Sequence, residues 1–374
     1  RKSNKVTVPE IMGARYGQSA SIISAVCVML AYVGVLATQL KAAADIIVLL
    51  CASSGIEISH GLALTICTAL IAIITVGGGL VSVAYSDAIS ALLMIGGFFL
   101  AIPFLIGVAN SQGATLPPEK MTITGGMSGW ELLGYFLPSL ALMLGDQNML
   151  QRFASAKNSD EAKKSNIGMF IGEILVIISI VLVVTQAAKL YPTLDVPSNV
   201  IFQVAVDYLP LAFGALVMCA CMAFIVTTAD SYLLVSVQTC VHDIGKTIRP
   251  QMPERTEISL SRIFSIVLPL GALVIALYIH NAYNILMFAW SFYAASAGIP
   301  AFAALFWKKA TKTGVMAGLL GGFVVCVGWK LAGQPFGLGA AVPGTVACGI
   351  ALVVVSLATY KRAPSVFLKA EKQS

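Results

Sequence analysis

Ten long apolar runs, separated by short polar breaks, restrict the solvent in which this chain can fold. A helix needs about 20 mostly apolar residues to cross the hydrocarbon core of a bilayer. Charged residues make up only 11% of the sequence, whereas a soluble domain carries about 25%. The sequence therefore predicts an all-α, polytopic membrane protein. The predicted spans are 19–48, 60–78, 82–109, 130–151, 166–190, 210–243, 259–280, 283–307, 313–331 and 342–360.

Basic residues are distributed unequally between the two sides of these spans. If residue 1 is cytoplasmic, 19 of the 23 lysines and arginines fall in cytoplasmic segments. The opposite side receives Lys120, Lys189 and Lys330, and Lys41 lies within a span. Because cytoplasmic loops are enriched in Lys and Arg, we expect both chain ends in the cytoplasm and a location in the plasma membrane, that is, a bacterial inner membrane. The same distribution explains the net charge of +6 without a nucleic-acid partner.

The sequence shows no pattern typical of an enzyme or a channel. An enzyme needs converging nucleophiles, bases or metal ligands, but the three histidines lie near span ends and the eight cysteines lie mostly within apolar runs, without metal-site spacing. A channel needs a continuous polar pore, whereas polar residues here cluster on a few helix faces. We therefore expect a transporter, with no enzymatic activity, no organic cofactor and no metal other than sodium.

Carboxylates within a bilayer are costly and often functional. Five of them lie within predicted spans: Asp45, Asp87, Asp146, Glu173 and Asp230. Asp45 follows Lys41 by four residues, which predicts an ion pair on one helix face. Glu173 lies close to a span end, where it can reach water.

The sixth span carries a group of hydroxyl residues beside a carboxylate. Phe224, Thr227, Thr228 and Ser231 share one helix face at 3.6 residues per turn. Hydroxyl and carbonyl oxygens are hard ligands of the kind that sodium prefers. Such hydroxyls also bond to the carbonyl four residues earlier or join helices. The neighbouring Asp230, which needs a partner at membrane depth, favours the ion-binding reading.

Two further spans suggest a substrate pocket. The fourth span contains Pro138 and Gly145, followed by the polar run 146–152, and broken helices mark binding sites in transporters. The simpler interpretation of Gln151 and Arg152, at the end of that run, is that they form the cytoplasmic end of the helix. In the eighth span, Ser291, Phe292 and Tyr293 either line a pocket or pack in the core.

Four stretches, in this order and spacing, resemble the sodium:solute symporter family, which includes bacterial sodium/proline and sodium/glucose transporters. The first, TVPEIMGARYG, precedes a long span. The second, GGLVSVAYSD, ends at Asp87, and the third is DQNMLQR. The fourth, TTADS, runs on to HDI. They occupy residues 7–17, 78–87, 146–152, and 227–231 with 242–244.

The resemblance implies a core of five plus five helices in inverted repeats. The first motif normally follows the second core helix, so this chain begins at core helix three. Residues 1–110 then hold core helices three to five, residues 111–310 core helices six to ten, and residues 311–374 two peripheral helices and a cytoplasmic tail. Core helix one, which supplies half of the sodium and substrate sites in the family, would not be within this chain.

The resemblance also implies sodium as the coupling ion. The principal site would use the hydroxyls of Thr227 and Thr228 and the carbonyl of Phe224. A second site, present in some members, would use Asp87 with Thr227, Asp230 and Ser231. Asp230 stands where those members have a hydroxyl residue, a departure that either strengthens a cation site or replaces sodium by a proton. We expect Asp87 and Asp230 to face each other and to share a cation.

The resemblance narrows the substrate only by elimination. Sugar-transporting members carry Asn, Tyr and Trp at positions that are Ser139, Leu142 and Met143 here, so a sugar is not expected. The expected function is sodium-coupled symport of an amino acid or organic acid by alternating access, with the solute and the lipid bilayer as partners. Two alternatives stay open: a proton-coupled symporter, and a symporter-like sensor domain of a signalling protein.

Overall fold

The computed structural model of the chain describes residues 7–77, 80–122, 124–193, 197–279 and 282–360. The charged residues of the two tails, residues 78–79 of the second family motif, and His280 lie outside the described residues. Within the described ranges every regular element is a helix. The all-α prediction is therefore confirmed.

The helices follow one another with short connections. They are α1 (Val8–Tyr16), α2 (Gln18–Ser53), α3 (His60–Gly77), α4 (Leu80–Ser111), α5 (Gly129–Gly145), α6 (Gln147–Ser155), α7 (Ser159–Leu190), α8 (Val200–Asp207), α9 (Leu211–Gln238), α10 (Lys246–Ile248), α11 (Glu254–Tyr278), α12 (Ala282–Tyr293), α13 (Ile299–Phe306), α14 (Lys312–Leu331) and α15 (Ala341–Thr359). Two π-helical segments, Thr239–Gly245 and Ala294–Gly298, join α9 to α10 and α12 to α13.

Among the described residues, nine helical stretches are long and apolar enough to cross a membrane. They correspond to nine of the ten predicted spans, so the polytopic prediction is confirmed. The predicted span 130–151 is instead two helices, because α5, with 17 residues, and α6, with nine, meet at Asp146. Asp146 has non-helical dihedrals (φ −59°, ψ 118°), and its side chain caps α6 by accepting from the Asn148 amide.

The long helix α2 lies at the centre of the bundle and packs against α1, α3, α9, α11 and α12. Helix α9 packs in turn against α2, α4 and α11. One extended hydrophobic cluster joins these helices with α3 and α7, and it includes buried Leu40, Phe98 and Leu233. This packing places the polar face of α9 beside α4 inside the bundle.

The short helix α1 is attached to the bundle by its polar side chains. Thr7 caps it by accepting from the Glu10 amide at 3.1 Å, and the Thr7 hydroxyl donates to Asp243 at 2.8 Å. The Arg15 guanidinium donates to the carbonyls of Ala303 and Trp307, at 3.2 and 2.6 Å, at the end of α13. Basic side chains stabilise such helix C-termini because the last carbonyls lack partners within the helix.

The predicted ion pair between Lys41 and Asp45 is wrong. The structure instead pairs Asp45 with His60, the first residue of α3, at 2.7 Å. The loop from α2 to α3 folds back, so a residue 15 positions away lies closer to the carboxylate than the lysine on the same helix.

Candidate functional site

The hydroxyl face of α9 lies within the helical bundle. The Thr227 hydroxyl donates to the Phe224 carbonyl at 3.2 Å, so the two oxygens assigned by the resemblance to one sodium site are neighbours. Thr228 is half-buried and Ser231 is buried. The Thr227 bond is also the back-bond typical of a threonine within a helix.

Asp230 is buried on α9 and receives a hydrogen bond from the Thr75 hydroxyl of α3. The same hydroxyl oxygen lies 2.9 Å from the Ile71 carbonyl oxygen of its own helix, so its one proton lies between the two acceptors. A buried carboxylate needs such partners because desolvation of an unpaired charge is expensive. Thr75 was not predicted as a site residue.

Arg152 of α6 joins the two other polar residues of this region. Its Nη2 lies 2.5 Å from Oδ2 of Asp87 on α4 and 3.0 Å from the Ser231 hydroxyl on α9, while Nε donates to Asn148 at 3.2 Å. Arg152 lies in the last turn of α6, in agreement with its interpretation as a helix end, but that interpretation did not include these contacts. Gln151 is only 4% exposed, and the Arg152 side chain is 38% exposed.

Asp87 and Asp230 lie on α4 and α9, two helices that pack against each other; that they face each other and share a cation stays a prediction. Asp87 is 22% exposed and already has a cationic partner in Arg152, whereas the contact made by Asp230 is with a neutral hydroxyl. The region thus combines two carboxyl groups, the Ser231 hydroxyl and one guanidinium. We call Asp87, Asp230, Ser231 and Arg152 the carboxylate–arginine cluster.

The break between α5 and α6 is surrounded by tyrosines. The Tyr32 hydroxyl of α2 donates to Asp146 and accepts from the Gln147 amide at 3.0 Å. The Tyr32 ring is fully buried, stacks on Tyr293 at 5.7 Å and meets the edge of Tyr232 at 4.8 Å. Sequence analysis predicted the break but missed Tyr32 and Tyr232, because a single tyrosine within an apolar span carries no local signal.

The six predicted substrate residues do not form one site. Leu142, Phe292 and Tyr293 belong to one buried cluster next to the helix break, where Phe292 packs edge-on against Phe323 at 5.3 Å. The remaining three residues lie elsewhere. Ser139 bonds back to the Tyr135 carbonyl at 3.0 Å, Met143 is 53% exposed, and Ser291 lines a cavity.

That cavity lies where α5 and α12 begin and α14 ends. It has a volume of about 180 Å³, and its polar lining comes from Glu131, Tyr135, Tyr283, Asn284, Ser291, Lys330 and Gln334. Ser291 is the one predicted substrate residue in its lining. The carboxylate–arginine cluster does not line it.

Comparison with known proteins agrees with this architecture. The high-affinity proline transporter PutP of Bacillus subtilis (strain 168) is 25% identical, over 98% of this chain and 79% of its own length. The sodium/proline symporter of Haemophilus influenzae is also 25% identical, over 99% and 78%. The osmoregulated proline transporter OpuE of Bacillus subtilis is 22% identical, over 96% and 75%.

A solved structure of a Na+-coupled sialic acid symporter, in a substrate-bound outward-open state, superposes with a TM-score of 0.72. It covers 98% of this chain and 79% of the symporter at 17% identity, a level that shows a shared fold. The model of the sodium:solute symporter family matches residues 1–322. This chain therefore belongs to the sodium:solute symporter family, a family of membrane transporters and not of enzymes.

Proposed function

We propose that this chain is the greater part of a symporter that uses the sodium gradient to accumulate a small amino or imino acid by alternating access. The observation that carries the proposal is the set of hard oxygens gathered on α9, beside the Asp87 carboxylate of α4. Family membership supports sodium as the coupling ion of a small solute.

The proposed principal sodium site uses the Thr227 and Thr228 hydroxyls with the Phe224 carbonyl. Neutral oxygens suit a monovalent ion that must also be released, because coupled transport requires binding that is favourable but reversible. The proposed second site uses Asp87, Asp230 and Ser231, with Thr227 shared between the two. Both sites lie on α9, so an ion at either one would restrain the same helix.

The proposed substrate is proline or a similarly compact amino acid. Three relatives that match nearly the whole chain are named proline transporters. Leu142, Phe292 and Tyr293 are packed together in this structure, and on opening during the transport cycle they would present apolar and aromatic surface to an aliphatic ring. The neighbouring helix break offers a carboxylate at Asp146 and helix termini, which are the groups that broken helices present to charged ends of a substrate.

The test is uptake of radiolabelled proline by the full-length protein reconstituted in proteoliposomes. We expect accumulation with an inward sodium gradient, none with potassium in its place, and competition by unlabelled proline. Excess unlabelled alanine, succinate or glucose is added in separate experiments, and inhibition of proline uptake by each compound defines the substrate class. We expect glucose to have no effect.

Two outcomes would contradict the proposal. Accumulation driven by an inward proton gradient without sodium would make the protein a proton-coupled symporter. The carboxyl group of Asp230, which can bind a proton, is the feature that favours this hypothesis. Binding of proline without accumulation under any gradient would indicate a sensor. A protein lacking the Asp87 carboxylate, Asp87→Asn, serves as the inactive reference in the same vesicles.

A further inference from the structure

We propose that Arg152 is a built-in competitor of sodium at the second site. Its guanidinium occupies the position of the bridging cation between Asp87 and Ser231, and sodium enters only after it leaves. This inference rests on the proposed function, because it concerns one of the two sodium sites assigned there.

The geometry makes the two cations mutually exclusive. A single nitrogen, Nη2 of Arg152, lies 2.5 Å from Oδ2 of Asp87 and 3.0 Å from the hydroxyl oxygen of Ser231. Both contacts are direct, and the contact with Asp87 joins opposite charges. A sodium ion that bridged the same two oxygens would occupy the space of that nitrogen. The site therefore holds either the arginine or the ion.

Electrostatics explains why such a competitor is useful. A carboxylate left unpaired inside the bundle is costly, and removing one partner of a buried pair leaves an uncompensated charge. Arg152 keeps Asp87 paired when sodium is absent. Asp87 thus has a cation in both the loaded and the empty protein, so the empty protein can change conformation without carrying sodium.

The structure also provides partners for Arg152 after its release. Its Nε already bonds to Asn148 on the same helix. The side chain is 38% exposed, so it has room to move away from Asp87. After its release from Asp87, the guanidinium would therefore keep its bond to Asn148 and be able to reach water.

Equilibrium binding of radioactive sodium (²²Na+) to the purified full-length protein tests the competition without requiring transport. Removing the competing charge in Arg152→Gln should lower the sodium concentration for half-maximal binding at the second site by about tenfold, the scale of one charge-assisted hydrogen bond. The principal-site component of the isotherm should not move. Lys163→Gln, which removes an exposed lysine paired with Asp160 at 3.7 Å, is the matched control and should bind as the wild type does.

Two further variants assign the effect to Asp87. Asp87→Asn should lose the second component, and Asp87→Asn/Arg152→Gln should bind like Asp87→Asn alone, because the arginine competes only through that carboxylate. Arg152→Lys keeps the charge, but its ammonium is more strongly hydrated than a guanidinium, and lysine has no equivalent of the Nε that bonds to Asn148. Its affinity should fall between wild type and Arg152→Gln, and it gives the answer if Arg152→Gln does not fold.

Unchanged or weaker sodium binding in folded Arg152→Gln and Arg152→Lys would overturn the proposal and leave Arg152 as a structural clamp between α6, α4 and α9. Thermal unfolding of each variant establishes that it is folded. Failure of the proposed function looks different, since the wild-type protein would then bind no sodium and show no sodium-driven uptake. If the wild-type protein bound sodium and showed sodium-driven uptake, but neither arginine variant bound sodium more tightly, only the proposal that Arg152 competes with sodium would be contradicted.

Discussion

Thr227 and Thr228 have the chemistry of ion ligands and also that of ordinary helix hydroxyls. We expect Thr227→Ala and Thr228→Ala each to raise the sodium concentration for half-maximal uptake by about tenfold, because each removes one hard-oxygen ligand. A hydroxyl that only joins helices is worth about 0.6 kcal/mol in membrane proteins. The measurement is uptake as a function of sodium concentration, with thermal unfolding measured in parallel.

Thr185→Ala is the control for the threonine pair. The Thr185 hydroxyl donates to the Val181 carbonyl on an exposed face of α7, so it makes the same kind of back-bond far from the proposed site. Its sodium dependence should equal that of the wild type. If Thr227→Ala and Thr228→Ala also kept the wild-type sodium dependence, both residues would be structural.

Variants of Asp230 distinguish the sodium-coupled hypothesis from the proton-coupled hypothesis. Asp230→Ser restores the hydroxyl that the family resemblance places at this position. We expect this variant to keep sodium-driven uptake and to lose part of the pH dependence, because the carboxyl group is then no longer available to bind a proton. Uptake rates between pH 5 and pH 8 at fixed sodium give the comparison.

An Asp230→Ser variant that lost sodium coupling altogether would show that the carboxylate itself is an essential ligand. Asp230→Asn is the matched variant, since it keeps the size of the side chain and its ability to accept from Thr75. If the pH profiles of both variants equalled the wild-type profile, Asp230 would not be the titrating group.

The site residues that could be predicted are those with a local signal. Phe224, Thr227, Thr228 and Ser231 share a helix face, and 3.6-residue periodicity is visible in a short window. Arg152 and Thr75 could not be found this way, because Arg152 meets Asp87 65 residues away and Thr75 meets Asp230 155 residues away. Such contacts depend on how helices pack, which periodicity does not encode.

At the scale of the helix, the sequence indicated an interruption near Asp146 but did not place it at that residue. Pro138 and Gly145 indicated an interrupted helix, but the predicted span 130–151 ran across the interruption. A hydropathy profile is averaged over a window about as long as one membrane span, so it does not detect a break at a single residue. At Asp146 one helix ends, and its side chain caps the start of the next. Pro138 itself lies within α5 and does not end it.

The glycines of α14 allow a sharp test of helix packing. A Cβ at Gly322 would lie 1.7 Å from the Ala295 carbonyl oxygen of the π-helical segment and 2.7 Å from Cβ of Cys348 on α15. Because small residues permit this close approach, Gly322→Ala forces backbone to move. We expect a loss of about 1–3 kcal/mol, the range typical of overpacking, measured as a lower thermal unfolding temperature in detergent.

Gly328→Ala is the matched control on the same helix. Nothing lies within 4 Å of a Cβ at Gly328. Alanine is favoured over glycine in a helix by about 0.5–1 kcal/mol, so this variant should be as stable as the wild type or slightly more stable. Equal unfolding temperatures for Gly322→Ala and Gly328→Ala would mean that α14 and the π-helical segment are not in close contact.

At the scale of the whole molecule, composition was sufficient for the fold class. In the described part of the chain, nine of the ten predicted spans are helices long and apolar enough to cross a membrane, because a run of about 20 apolar residues has few other stable forms in lipid. The order in which these helices pack around α2 was beyond such reasoning. The division into 1–110, 111–310 and 311–374 stays a prediction, since it depends on the repeat relation that the family resemblance implies.

The orientation of the bundle also stays a prediction, and it follows from the distribution of 19 lysines and arginines on one side and three on the other. Single cysteines at Gln112, Ser198 and Ser159, in a background with the eight native cysteines replaced, test it with a membrane-impermeant maleimide. All three positions are exposed, and the choice of Ser159 preserves the Asn158 cap of α7.

We expect Gln112→Cys and Ser198→Cys to react in intact cells, and Ser159→Cys to react only after the membrane is opened. Along the chain, α5 and α6 lie between Gln112 and Ser159, and α7 lies between Ser159 and Ser198. Reaction of Ser159→Cys in intact cells, with protection of the other two, would invert the molecule. Reaction of all three would mean that α7, which begins at Ser159 and ends before Ser198, does not cross the membrane.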